Sequence, residues 1–322
     1  MTHRGLGVAS MGKASRTKVE STRREKIAAQ RAAERRSEQR RRILIASGSV
    51  VVVLAIVLVF VVVKLSGGKP STSSAAGLSN GPTGSALSAV VDNVTSVPAS
   101  TLNTVGEGGG AVTGKPTTIS GTNPPLTSNG KPEMFYTGAE YCPYCAAERW
   151  AMIVALSRFG TFKGLATVHS AVANGAGDAE PDPDTPTFTF LHATYSSPYL
   201  AFTPVEIQTN IPDPSTGTYT DLQTPTKAEQ ALITKYDGST GPIPFIDFGN
   251  KYVISGVSYD PGVLDGLSWA TIATDLHNPS SPVAQAVDGT ANYITAAICK
   301  GMTNNLPASA CTPAVQALES QI

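Results

Sequence analysis

Cysteine is scarce in this chain. Four occur in 322 residues, and only Cys142 and Cys145 stand close together. A structural zinc site needs a second close pair with a short spacer. Cys299 and Cys311 lie twelve positions apart, so zinc fits poorly. Histidine is equally sparse, and His169 and His192 fall in expected strands, where packing is the ordinary role. The alternating carboxylates of "DAEPDPD", residues 178–184, lack the spacing and glycine of a calcium loop. Neither a Gly-rich phosphate loop nor a Ser/His/Asp pattern is present, and no internal repeat is found. Nothing in the residues calls for a metal or an organic cofactor.

Net charge is also missing, with 24 basic and 24 acidic residues, but the balance conceals an asymmetry. Residues 1–42 hold 13 Lys/Arg against 4 Asp/Glu, which leaves 11 basic and 20 acidic residues beyond them. This basic segment contains no aromatic residue for base stacking and no binding motif, which argues against nucleic acid as a partner. It reads as a topology signal that also rests on anionic lipid headgroups. Next comes "ILIASGSVVVVLAIVLVFVVV", residues 43–63, without a single charge. About 20 apolar residues suffice for a helix to cross the hydrocarbon layer. No small-x-small cleavage site follows, and the run exceeds a signal peptide's usual ~7–15 residues. Arg40, Arg41 and Arg42 abut its start, so the positive-inside rule keeps the N-terminus in the cytoplasm. Everything past residue 64, including all four cysteines, is then expected outside the cell membrane, where disulfides persist.

Residues 64–84 are rich in Gly, Ser, Thr and Pro and read as a flexible linker. Residues 85–322 form the expected exported domain. A weak helical pattern runs over Leu87, Val90, Val91 and Val94 to Val97, and 106–131 read as loop. "EMFYTG", 133–138, suits a buried strand. Pro143 is placed for a first helical turn, which makes Cys142 the cap of a largely apolar helix ended by Gly160. "LATVHSAV" reads as the next strand, and "TFTFLHATY" and "YLAFTPVEIQ" as an inserted long strand pair. Thr226 and Glu229 open a helix over 227–236 with Leu232 and Ile233 inward. Residues 243–256 form a hairpin turning at Gly249-Asn250. Asp260-Pro261 opens a helix to about 276, Ser281-Pro282 opens one with Val283, Val287, Ala291, Ile294 and Ile298 on a single face, and Thr312-Pro313 opens a last short one. The alternation predicts an α/β fold, a mixed sheet with helices on both faces.

A thiol exchanges disulfides only as the thiolate, and a helix start favours that anion. Cys142 occupies such a start and Cys145 lies one turn inside. The spacing therefore makes Cys142 the attacking thiol and Cys145 the resolving one. A purely structural bond between them is the bland alternative, but so tight a loop constrains the unfolded chain little.

With Ile243-Pro244 ahead of the hairpin, "AEYCPYC" resembles the active-site segment of thioredoxin-fold oxidoreductases. More narrowly, "YCPYCAAERWA" and "DNVTSVPASTLNTVG" resemble a membrane-anchored, thioredoxin-like family catalogued as domain of unknown function 929, over about residues 86–322. The resemblance implies a thioredoxin-like sheet, Cys142 as nucleophile, Cys145 as resolver, and Pro244 as a cis-proline that faces the pair and helps dock the substrate chain. Thioredoxins carry a buried aspartate six residues before the first cysteine, and Tyr136 stands there instead. A proton acceptor for Cys145 is thus not evident. Glu140 and Glu148 are nearby, and each reads as solvated.

Cys299 and Cys311 are expected to form a structural disulfide worth on the order of 3 kcal/mol, with an electron-relaying pair as the alternative. The sequence thus points to a single-pass membrane protein exchanging thiols and disulfides on exported proteins, leaning to oxidase or isomerase. A membrane redox partner would recycle it. The rival reading is a membrane-tethered binding or structural module of the same fold without redox turnover.

Overall fold

The computed structural model describes residues 80–171, 182–213, 215–238, 241–302 and 306–322, all within one unit, Pro70–Ile322. The basic segment 1–42, the expected span 43–63, most of the linker 64–84, and residues 178–181 of the acidic loop lie outside the described residues. Among the described residues no helix is long and apolar enough to cross a membrane.

Helices α1, Gly84–Thr95, and α2, Ala99–Val105, come first. Pro98 separates them and caps the second. The linker therefore ends a residue earlier than expected, and α2 was not foreseen. Two short strands, β1 (Thr117–Thr118) and β2 (Thr127–Ser128), interrupt the stretch that read as loop. Strand β3, Lys131–Gly138, leads into α3, Pro143–Ser157. Strands β4 (Thr161–Lys163), β5 (Ala166–His169), β6 (Pro186–Thr189), β7 (Thr194–Ser196) and β8 (Ala201–Glu206) follow, and then the hairpin β9 (Gln208–Pro212) and β10 (Tyr219–Asp221). Helix α4 (Lys227–Asp237) precedes β11 (Phe245–Phe248) and β12 (Tyr252–Ser255). After a 3-10 turn at Pro261–Leu264 the chain closes with α5 (Trp269–Asp275), α6 (Pro282–Gly301) and α7 (Pro313–Leu318).

The central sheet is mixed. Its order is β1-β12-β11-β3-β2, with β8 also on β3. Strand β8 runs parallel to β3, pairing Phe202 with Met134, while β11 runs antiparallel, pairing Ile246 with Tyr136. Side chains alternate across a strand, so β3 serves two cores. Met134 and Tyr136 pack in the larger one with Trp150, Met152 and Ile294; Phe135 packs on the opposite face with Val205, Phe245, and Leu232 and Ile233 of α4. Covering both faces is why Met134, Phe135 and Tyr136 are apolar in unbroken succession. Helix α3 is buried on nearly every side between sheet and α6, and each large apolar side chain so buried contributes roughly 1.5–3 kcal/mol.

Three expectations need correction. The expected long strand pair does not exist: β6 pairs with β5, β7 with β4, and β8 joins the central sheet beside β3. Patterns of β-branched and aromatic residues mark strands without naming their partners. The small hairpin of the inserted region is instead β9 and β10. The helix expected from Pro261 to about 276 is broken at Gly266, whose φ of +66° lies in the left-handed region, and Ser268 caps a new helix. His192 sits exposed on a turn rather than in a strand; His169 is in β5, buried, with Nδ1 3.0 Å from Asp184.

Candidate functional site

Strand β3 ends at Gly138, and three residues later the chain enters α3. Cys142 is the N-cap of that helix, with Pro143 in the first turn. Its Sγ accepts a hydrogen bond from the Cys145 N–H at 3.3 Å, and as a thiol it donates to the Ile243 carbonyl at 3.7 Å. Ile243 belongs to the loop that enters β11, where the Ile243-Pro244 peptide is cis. Three expected site residues, Cys142, Cys145 and Pro244, thus come together where β3, α3 and β11 meet. Cys299 and Cys311 do not join them. They are bonded to each other, with Cα atoms 5.8 Å apart, and tie the end of α6 to the start of α7.

The two cysteines of the pair are unbonded. Cys142 keeps 4% of its surface exposed and Cys145 none, so an incoming sulfur meets Cys142 first. Their thiols are pushed in opposite directions. The hydrogen bond from the Cys145 side chain lowers the Cys142 thiol most; burial opposes it, and the Cys145 N–H and the Arg149 charge reinforce it. Burial raises the Cys145 thiol well above the ordinary range, and proximity to Cys142 adds to this. The helix start contributes as expected, through its N–H groups, but the partner thiol is the larger influence.

Arg149 is the residue that sequence reasoning passed over. It projects from α3 beneath the pair, fully buried. Its Nε and Nη2 grip both oxygens of Glu206, at 2.9 and 2.7 Å, and Nη2 also donates to the Ala139 carbonyl at 2.8 Å. Glu206 ends β8, is fully buried, and accepts from the Phe190 N–H at 3.1 Å. Arginine and glutamate are almost never fully buried unless paired. The available signal is two adjacent charges, Glu148 and Arg149, in a helix otherwise largely apolar, and a lone anion closing an apolar strand.

Glu140 and Glu148 are not solvated; both have no exposed surface. Burial pushes the Glu148 carboxyl up to about 7, although the Ser258 N–H and hydroxyl both donate to it at 3.0 Å. It serves the loop after β12 rather than Cys145. Burial also raises Glu140, the Thr189 hydroxyl offsetting part of this. Tyr136 occupies the place where the resemblance led one to look for a carboxylate, and its buried hydroxyl has no hydrogen-bond partner among the described residues.

Beside the pair lies a cleft of about 420 Å3, lined by Thr137, Ile207, Gln223, Gln230, Ile233 and Ile243. Ile207 and Ile243 pack against the cysteines as well. Tyr141, next to Cys142, stacks on Tyr219 of β10 with ring centroids 4.1 Å apart. The inserted hairpin therefore walls the cysteine segment. No group of three or more metal-ligating side chains occurs among the described residues.

A family model described as a domain of unknown function (DUF929) matches residues 117–300. No curated protein and no solved structure matches.

Proposed function

The chain belongs to the DUF929 family, and within a family whose description names no activity we propose that it is a thiol–disulfide oxidoreductase of thioredoxin-like fold. One observation carries the reading. Cys142 is held as a helix cap with a lowered thiol, and Cys145 waits one turn deeper with a raised one. That asymmetry is what a nucleophile and its resolver need. The strand arrangement supports the fold assignment: a central strand leading to the cysteines, a parallel neighbour, and an antiparallel hairpin entered through a cis-proline.

A lowered Cys142 thiol stabilises the reduced pair, which favours the oxidising direction. A substrate thiolate attacks the Cys142 sulfur of the oxidised pair, and Cys145 departs with the electron pair. A second substrate thiolate then attacks the substrate sulfur of the mixed disulfide and releases Cys142 as thiolate. The substrate dithiol is oxidised and the pair reduced. A membrane-bound oxidant of dithiols restores the disulfide. The apolar run 43–63 anchors the enzyme, with residues 1–42 in the cytoplasm and the cysteine domain outside.

The rival, a tethered binding module without turnover, draws support from the near-complete burial of the pair. Expression of the full chain carrying Cys145→Ala separates the two. An exchange enzyme accumulates mixed disulfides between Cys142 and exported proteins, visible as thiol-sensitive bands; a binding module accumulates none.

A further inference from the structure

Tyr136 raises a question that its packing does not answer. It is fully buried, yet its hydroxyl finds no acceptor or donor among the described residues. Buried polar atoms without partners are uncommon, and each calls for a reason. Arg149, also fully buried, leaves its Nη1 in the same condition.

The surroundings of both groups supply one. A Cβ built on Gly138 would stand 2.1 Å from the Tyr136 hydroxyl and 3.0 Å from Cys145 Sγ. The hydroxyl therefore fills the space that any side chain at 138 would take, with the sulfur close by, and only glycine leaves it that room. The Arg149 charge acts on both Cys145 and Tyr136. A hydrogen-bond donor and a cation thus border a sulfur that is a neutral thiol at rest. An acceptor arises there only when Cys145 ionises.

We propose that Tyr136 is a positioning residue for the resolving step, its hydroxyl donating a hydrogen bond to the Cys145 thiolate from the space that the missing Gly138 side chain leaves to it. The proposal rests on the reading of the pair as an exchange centre. At rest, the Cys145 thiol donates to Cys142. Once Cys142 is engaged in a mixed disulfide it no longer carries the anion that held that proton. Cys145 loses its proton, and its thiolate attacks Cys142 Sγ. The bond between the two cysteines forms, the bond from Cys142 to the foreign sulfur breaks, and the departing thiolate takes the electron pair and a proton. The pair is oxidised and the foreign disulfide reduced. Because the step is reversible, the same hydrogen bond eases departure of Cys145 in the oxidising direction. Burial holds the Tyr136 hydroxyl in its neutral form, so it acts as donor and not as base.

The test uses the reduced full-length chain and dithiobis(nitrobenzoate), followed by stopped-flow absorbance. Attack by Cys142 releases one thionitrobenzoate, and resolution by Cys145 releases the second. Tyr136→Phe removes one oxygen and keeps the ring. The variant should slow the second phase on the order of tenfold, the effect of a hydrogen bond to a charged group, and leave the first within about twofold. The slowing should diminish at high pH, where Cys145 ionises unaided. A second phase unchanged in rate overturns the proposal. So does loss of both phases, because the hydroxyl would then hold the pair together rather than serve Cys145. A wild-type chain that shows no first phase contradicts the exchange reading itself, and the proposal falls with it.

Discussion

Arg149 and Glu206 form a two-pronged ion pair, at 2.9 and 2.7 Å, with no solvent exposure on either side chain. It joins the helix that follows the cysteines to the strand parallel to β3. The same guanidinium fixes the Ala139 carbonyl just ahead of Cys142. Desolvating two charges is costly, but removing one partner leaves the other buried and uncompensated.

Glu206→Gln is therefore expected to cost about 3–5 kcal/mol in urea-induced unfolding. Replacing both residues, as in Arg149→Met with Glu206→Leu, should recover much of that loss. The double variant should also raise the Cys142 thiol, since the Arg149 charge helps to lower it. A double variant as unstable as Glu206→Gln, or one with an unshifted thiol, would refute this role.

A second buried group governs pH dependence away from the cysteines. Asp288 on α6 has neither carboxyl oxygen hydrogen-bonded among the described residues, and burial pushes it up to about 8. Arg158, whose charge acts on it, spends its donors on Asn292, Thr295 and the Ala310 carbonyl. The folded state keeps a proton that the unfolded chain releases above about 4. Stability contributed by this group thus falls as pH rises from about 4 to 8. Asp288→Asn should remove the decline, raising stability by on the order of 5 kcal/mol at pH 8 and about 2 kcal/mol at pH 5. Equal effects at both pH values in thermal melts would contradict the assignment.

The Cys299–Cys311 bond spans a separation of 12 residues at the far end of α6. Replacing both with serine is expected to cost about 3 kcal/mol while leaving the alkylation rate of Cys142 unchanged. A variant of normal stability that loses Cys142 reactivity would instead make this pair an electron relay.

Much of the site's frame was legible because it is local. Pro143 after Cys142 announces the cap, Thr226 with Glu229 announces the capping box, and Gly249-Asn250 announces the hairpin; all three form within a few residues. What escaped is non-local. Nothing near β8 says that it lies beside β3, and nothing near Arg149 names Glu206, 57 positions away. Glu140 and Glu148 are misread for the same reason: a charge near the cysteines looks solvated until distant segments close over it, the loop carrying Ser258 over Glu148 and the strand carrying Thr189 beside Glu140. Tyr136 was noticed as a missing carboxylate, but its hydroxyl gains meaning only beside Gly138 and Cys145.

The central claim concerns one sulfur. The rate at which iodoacetamide alkylates the reduced full-length chain at Cys142, followed against pH, reads its ionisation directly. An inflection clearly below the ~8.5 of a free cysteine, with Cys145 unreactive across the same range, is the predicted result. An inflection at or above that value, or equal labelling of both cysteines, would contradict the account.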